Sequence, residues 1–135
     1  MAYTLRYAPP EVVTADALGE SRMAAHPSVD VWALGILALE LLAGRRAFRG
    51  ATPDATVREQ IMGGTPLPWE AGRERRELLR SLRGLRPTVL RCLARDAAER
   101  PAAAEVLEAW EGLFERIVGV SSREFVPALS PEALA

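Results

Sequence analysis

Three features of this sequence predict an all-α fold. Apolar residues recur at helical spacing in several segments, Pro and Gly stand at the ends of those segments, and no segment shows the strict apolar–polar alternation of a strand. Composition agrees: 49% of the 135 residues are apolar and only 6% aromatic, which suits an aliphatic, helix-rich interior. The length is enough for one compact domain with its own core.

Taken in order, residues 1–13 read as an extended stretch ending in Pro9 and Pro10. The two prolines remove backbone donors and disfavour helix before them, and a short helical turn is expected after Pro10. Residues 14–27 are mixed in character and read as loop. Ser28 to Ala43 is the strongest helix. Ser28 is placed to cap it, Asp30 falls in its first turn where the dipole favours a carboxylate, and Gly44 ends it. Its apolar residues run all the way round, so burial on every side is expected.

Residues 45–52 read as a turn, and Pro53 to Met62 as a short helix stopped by Gly63 and Gly64. Residues 65–72, with two prolines, read as a loop. Residues 73–83 place Leu78, Leu79 and Leu82 at helical spacing among Arg and Glu, an exposed amphipathic helix. Leu85 to Arg95 is another helix. Pro101 opens a further one carrying Val106, Leu107, Trp110, Leu113, Phe114 and Ile117. Beyond about residue 119 the composition shifts to Ser, Pro and Ala. The chain is therefore divided into a domain over residues 1–119 and a disordered tail over 120–135.

Seventeen basic and eighteen acidic residues give a net charge of −1. No global field steers the chain to nucleic acid or to an anionic membrane. All the basic residues are Arg: Lys and Asn are both missing from the sequence, so chemistry needing either group cannot come from it. Cys92 is the single cysteine, which excludes an intrachain disulfide, and its apolar helical setting points to a buried structural thiol. The lone His26 precedes Pro27 and reads as a surface residue; no metal-ligating set is apparent. No secretory signal is seen at the start, and the apolar run Val31 to Leu42, broken by Glu40, is too short for a bilayer. A cytoplasmic location is the expectation.

Three motifs then align in order. Thr4-Leu5-Arg6-Tyr7-Ala8-Pro9-Pro10-Glu11 resembles the end of the protein kinase activation segment, T-x-x-Y-x-A-P-E. Asp30-Val31-Trp32-Ala33-Leu34-Gly35 followed by Leu39-Glu40-Leu41-Leu42-Ala43-Gly44 resembles the central kinase helix. Cys92-Leu93-Ala94-Arg95-Asp96-Ala97-Ala98-Glu99-Arg100-Pro101 is similar to the C-L-x-x-D-P-x-x-R-P segment near the end of that fold. The resemblance covers about residues 4–118 and implies the helical C-terminal lobe of a Ser/Thr protein kinase domain, without the N-terminal β lobe.

The resemblance also implies roles. Glu11 and Arg100 form a buried ion pair joining the activation segment to the last helices. Asp30 accepts backbone hydrogen bonds from the catalytic loop in an intact kinase, or is a simple helix N-terminal charge where no such loop is present. Trp32 and Gly35 are packing residues of the central helix. Thr4 and Tyr7 lie on the substrate side; Thr4 matches the Thr whose hydroxyl supports the catalytic Asp, or is a frayed terminal residue. Glu40 matches a position that meets a substrate arginine in some basophilic kinases, with polar anchoring of the core the preferred reading. Departures from the pattern are Pro9 for Ala, Ala97 for Pro, and Ala102 for a helix-capping Ser/Thr, a cap worth about 1 kcal/mol.

Kinase phosphotransfer uses a Gly-rich loop, a Lys, an Asp and an Asn on magnesium, and an Asp that orients the hydroxyl. No G-x-G-x-x-G, V-A-I-K, H-R-D or D-F-G is found here, and the resemblance is expected to begin after the catalytic loop. ATP and Mg²⁺ are thus implied for a complete parent domain, with no cofactor, metal or catalytic residue in this chain. The expected function is that of a C-terminal part of a Ser/Thr kinase domain, inactive alone; the alternative is a non-catalytic helical interaction module. Partners are a protein substrate or regulatory protein. Exposed apolar surface on the central helix is expected to drive self-association.

Overall fold

The computed structural model describes residues 4–20, 26–48, 53–63 and 84–119. Five α-helices are found there: α1 (Pro10–Ala17), α2 (Pro27–Ala43), α3 (Asp54–Gly63), α4 (Leu85–Cys92) and α5 (Ala103–Val118). Short 3-10 turns occupy Leu5–Tyr7 and Ala97–Glu99. No strand occurs among the described residues. The expected helix over 73–83 and the tail over 120–135 lie outside them.

Helix α1 is longer than the single turn expected and takes in residues read as loop. Pro10 occupies its first turn, where a missing N–H costs nothing. Its far end is a Schellman cap: Gly19 has φ 73°, Glu20 N–H donates to Ala15 O at 2.9 Å, and Gly19 N–H to Asp16 O at 3.1 Å. The Leu-Gly step at 18–19 is the stop signal that marks this helix.

Helix α2 starts one residue earlier than expected. His26, not Ser28, is its N-cap: the ring Nδ1 accepts from Ser28 N–H at 3.2 Å and lies 2.7 Å from the Ser28 hydroxyl. That geometry assigns the ring proton to Nε2. Gly44, at φ 67°, closes the other end by donating to Glu40 O at 2.8 Å.

Three clusters of buried side chains surround α2. Trp32 and Ile36 meet Ala8, Val12 and Val13 from α1 and its approach, and Val57 and Ile61 from α3. Ala38, Leu39 and Leu42 meet Val89 of α4. Val31 meets Cys92 and Val106, joining α4 to α5. Burial is nevertheless not complete, as the all-round apolar pattern had suggested: Leu37 is 46% and Leu41 67% exposed, while Ile36 is 0% and Leu39 2%. The described neighbours of α2 bury most of its apolar positions and leave Leu37 and Leu41 exposed.

Helix α4 ends at Cys92 rather than Arg95. Leu93 N–H is shared between Val89 O and Leu90 O, both at 3.2 Å, and the chain then leaves helical geometry. The carbonyls so released, at residues 94 and 95, are taken by Arg100. Pro101 lies ahead of α5 rather than inside it, and Ala102 is the N-cap. Ala has no side-chain acceptor, so half of a capping box survives: Ala102 N–H donates to Glu105 Oε1 at 3.1 Å. That bond first, and then the Arg91 guanidinium, holds the Glu105 carboxyl below the usual carboxylate range.

Candidate functional site

Arg100 is the point where the separate elements meet. Its residue is 7% exposed and its guanidinium uses all five N–H donors. Two go to the Glu11 carboxylate, at 2.6 Å to Oε1 and 2.8 Å to Oε2. Three go to backbone carbonyls, of Ser28 at 3.0 Å, Ala94 at 2.8 Å and Arg95 at 3.2 Å. One side chain thereby ties the first turn of α1, the first turn of α2 and the segment after α4. Its planar fork also lies over the Trp32 ring, 5.1 Å from the centroid. The pair is less buried than the motif implied on one side: the Glu11 side chain keeps 30% exposure while that of Arg100 has none.

The approach to α1 is tied to α2 by a second contact. Tyr7 Oη–H donates to Glu40 Oε2 at 2.9 Å, and Ala47 N–H donates to Glu40 Oε1 at 2.9 Å. Both carboxylate oxygens are therefore engaged within the chain, joining the segment before α1 to the turn after α2. The hydrogen bond to Glu40, followed by burial, pushes the Tyr7 phenol above its ordinary value near 10.

The remaining motif residues take simpler positions. Trp32 is packed in the core, and its buried indole N–H has no hydrogen-bond partner among the described residues. Gly35 marks the closest approach of α2 and α4: a Cβ there would lie 2.8 Å from the Cβ of Cys92 and 3.0 Å from the Leu93 side chain. Cys92 is fully buried, and burial pushes its thiol up, which keeps it unreactive. Thr4 is exposed at the start of the 3-10 turn, its carbonyl accepting from Tyr7 N–H at 2.9 Å. Asp30 is exposed in the first turn of α2. Thr4 and Asp30 are not brought together with the Arg100 cluster.

One anchor was not anticipated. Arg95 reaches α3 and donates to the carbonyl of Ile61 at 2.9 Å and to that of Met62. These are free C-terminal carbonyls of α3, so Arg95 caps that helix from outside. A basic residue before the Asp of the third motif was visible in the sequence, but its target depended on the packing of α3.

A helical lobe built round a central apolar helix, with the first turn of α1 locked to the segment ahead of α5 by a bidentate Glu–Arg clamp, is the kinase-like class of helical fold; the stretch before α1, expected to be extended, holds a 3-10 turn at Leu5–Tyr7. The chain belongs to the protein kinase domain family, whose sequence profile matches residues 1–110. It is 33% identical over 81 residues to Sperm motility kinase Z of Mus musculus, a match covering 60% of this chain and 14% of that protein. It is 32% identical over 80 residues to Germinal center kinase 3 of Caenorhabditis elegans, covering 58% of this chain and 13% of that protein. The matched region is thus a small part of either relative. No helix among the described residues is long and apolar enough to cross a membrane.

Proposed function

We propose that this chain is the substrate-side, C-terminal-lobe part of a protein Ser/Thr kinase domain, and that it does not transfer phosphate by itself. The observation that carries the reading is the Glu11–Arg100 clamp, which seats a T-x-x-Y-x-x-P-E segment against α2 and the segment leading to α5. In the complete domain that segment borders the protein substrate, with Thr4 exposed on it and the Tyr7–Glu40 hydrogen bond holding it in place. Glu40 is assigned to this anchoring rather than to a substrate arginine, because both of its oxygens are already bonded.

The residues present do not fit MgATP. The chain has no Lys and no Asn, and no three His, Cys, Asp or Glu residues among those described are grouped to hold a metal ion. ATP and Mg²⁺ belong in this proposal to the complete domain, where phosphoryl transfer is positioning plus electrostatics supplied by other groups. Titration calorimetry of the chain with MgATP, at millimolar nucleotide, is expected to give no saturable heat. One-site binding would overturn the inactive assignment. The Ser/Thr assignment is tested in a hybrid, with residues 4–118 replacing the matching part of an active Ser/Thr kinase. Retained phosphorylation of Ser/Thr peptides, lost on Thr4→Ala, is the expected result; activity on Tyr peptides alone would refute it.

A further inference from the structure

The contact between Tyr7 and Glu40 bears on the charge of the surface beside it. Both Glu40 oxygens are engaged within the chain, one by the Tyr7 hydroxyl and one by Ala47 N–H. The second bond holds the turn that follows the Gly44 cap, and Arg45 and Arg46 stand on that turn, both exposed. Neither makes an ion pair among the described residues. The Tyr7 phenol registers one of them: raised first by its bond to Glu40, then by burial and the Glu40 charge, it is drawn partly back down by Arg46. The Arg46 guanidinium therefore lies within electrostatic reach of the residue that ties the substrate-side segment to α2. Arg6, the basic residue of that segment, turns to α3 instead, 3.7 Å from Asp54. Arg6 and Asp54 offset one another, and the charges of Arg45 and Arg46 are left over. Since the whole chain carries a net charge of −1, this positive field is local.

We infer, resting on the substrate-side reading given above, that Arg45 and Arg46 are specificity residues of the complete domain and select a protein substrate with Asp or Glu beside the Ser or Thr to be phosphorylated. An acidic substrate residue meets two guanidinium forks, each able to take a carboxylate bidentately. A basic one meets the same two positive charges and finds both Glu40 oxygens already bonded. Discrimination thus comes from attraction and repulsion together. Both arginines are exposed, so each contact is screened, and the preference falls as salt rises. A nucleic acid fits this surface less well: two arginines on one turn neutralise few phosphates, and the chain as a whole is not basic.

The test on the whole chain is fluorescence anisotropy with labelled peptides that share one Ser and differ only in its flanks, which are Glu, Gln or Arg. The Glu peptide should bind about tenfold more tightly than the Gln peptide at about 50 mM salt, with the gap narrowing as salt rises. The Arg peptide should bind most weakly. No binding of the Glu peptide, equal binding of the Glu and Gln peptides, or a preference for Arg would overturn the inference. Arg45→Gln/Arg46→Gln should abolish the preference without placing a new carboxylate beside Glu40. Arg116→Glu, which changes the net charge by the same amount at an exposed position near the end of α5, should keep it. Equal loss in both variants would reduce the preference to overall charge. Tighter binding of a single-stranded oligonucleotide than of the Glu peptide would assign the surface to nucleic acid instead. The hybrid kinase described above separates this from the kinase reading. A hybrid that phosphorylates the Glu and Gln peptides with equal kcat/KM loses the inference and keeps the reading. A hybrid inactive on every peptide fails the reading, and the substrate assignment with it, whatever the binding preference.

Discussion

Two Arg–carboxylate pairs in this chain have almost the same length and very different surroundings. Arg100 and Glu11 stand 2.6 Å apart, Arg58 and Asp16 2.7 Å. The Arg100 side chain has no exposed surface, whereas Arg58 and Asp16 each keep 36%. Every donor of Arg100 has an acceptor inside the protein, three of them main-chain carbonyls. Distance alone therefore says little about what a pair is worth. What counts is which groups stay buried and unpaired when one partner is removed.

The largest effect should come from breaking the buried pair. Arg100→Ala leaves three carbonyls and a carboxylate without their donor, and a loss of roughly 2–4 kcal/mol in urea unfolding is expected. Arg100→Lys should recover little of it, because an ammonium has three donors and no planar fork. Glu11→Ala should cost less than Arg100→Ala, since Glu11 is partly solvated, and the double mutant should cost less than the sum. Additive effects below about 0.5 kcal/mol would reduce the buried pair to the standing of the exposed one.

A buried contact with no charge sharpens the comparison. Gly35→Ala forces a methyl against Cys92 at 2.8 Å, and overpacking of this kind should cost about 1–3 kcal/mol. Thermal melts of Gly35→Ala, Cys92→Gly and Gly35→Ala/Cys92→Gly separate sterics from helix propensity, because the atom met is the Cys92 Cβ itself; a double mutant that costs less than the sum of the singles identifies the close approach.

Next comes the half-buried tie between Tyr7 and Glu40. Tyr7→Phe should cost about 1 kcal/mol. Because folding raises the Tyr7 pKa, this stabilisation is complete below pH 10 and is lost as pH rises past the raised value. Urea midpoints followed from neutral to alkaline pH should show that loss in the parent chain and not in Tyr7→Phe. The smallest effect belongs to the exposed pair: Arg58→Ala should change stability by less than about 0.5 kcal/mol. A loss above 1 kcal/mol there would erase the distinction between the two pairs.

Helix α2 was legible because its apolar run is long and closed by Gly44. Helix α1 was legible only as a short turn after Pro10, because eight residues with one proline and mixed side chains carry little periodicity; the signal for its full length was the Gly19 cap, which only makes sense once Glu20 N–H is seen reaching Ala15 O. The end of α4 was misjudged for the opposite reason. The apolar pattern continues to Leu93, but the carbonyls of Ala94 and Arg95 are turned toward Arg100, a demand made by a residue six and five positions further on. Likewise Ser28 is a good capping residue in isolation, yet His26 takes that place because Pro27 enters the first turn.

By itself the sequence determined the helical class, the central apolar helix, and the order of Glu11, Asp30, Glu40 and Arg100 along the chain, since periodicity and motif order are local and linear properties. Only the tertiary structure decided that Arg100 gathers five acceptors from three segments, that Glu40 spends both oxygens inside the chain, and that Leu37 and Leu41 of α2 are exposed where Ile36 and Leu39 are buried. Those outcomes depend on which surfaces pack together across 33 residues for Tyr7 and Glu40 and 89 for Glu11 and Arg100. Separations of that size leave no trace in local spacing, because the contact energy is set by burial and by the neighbours that supply it.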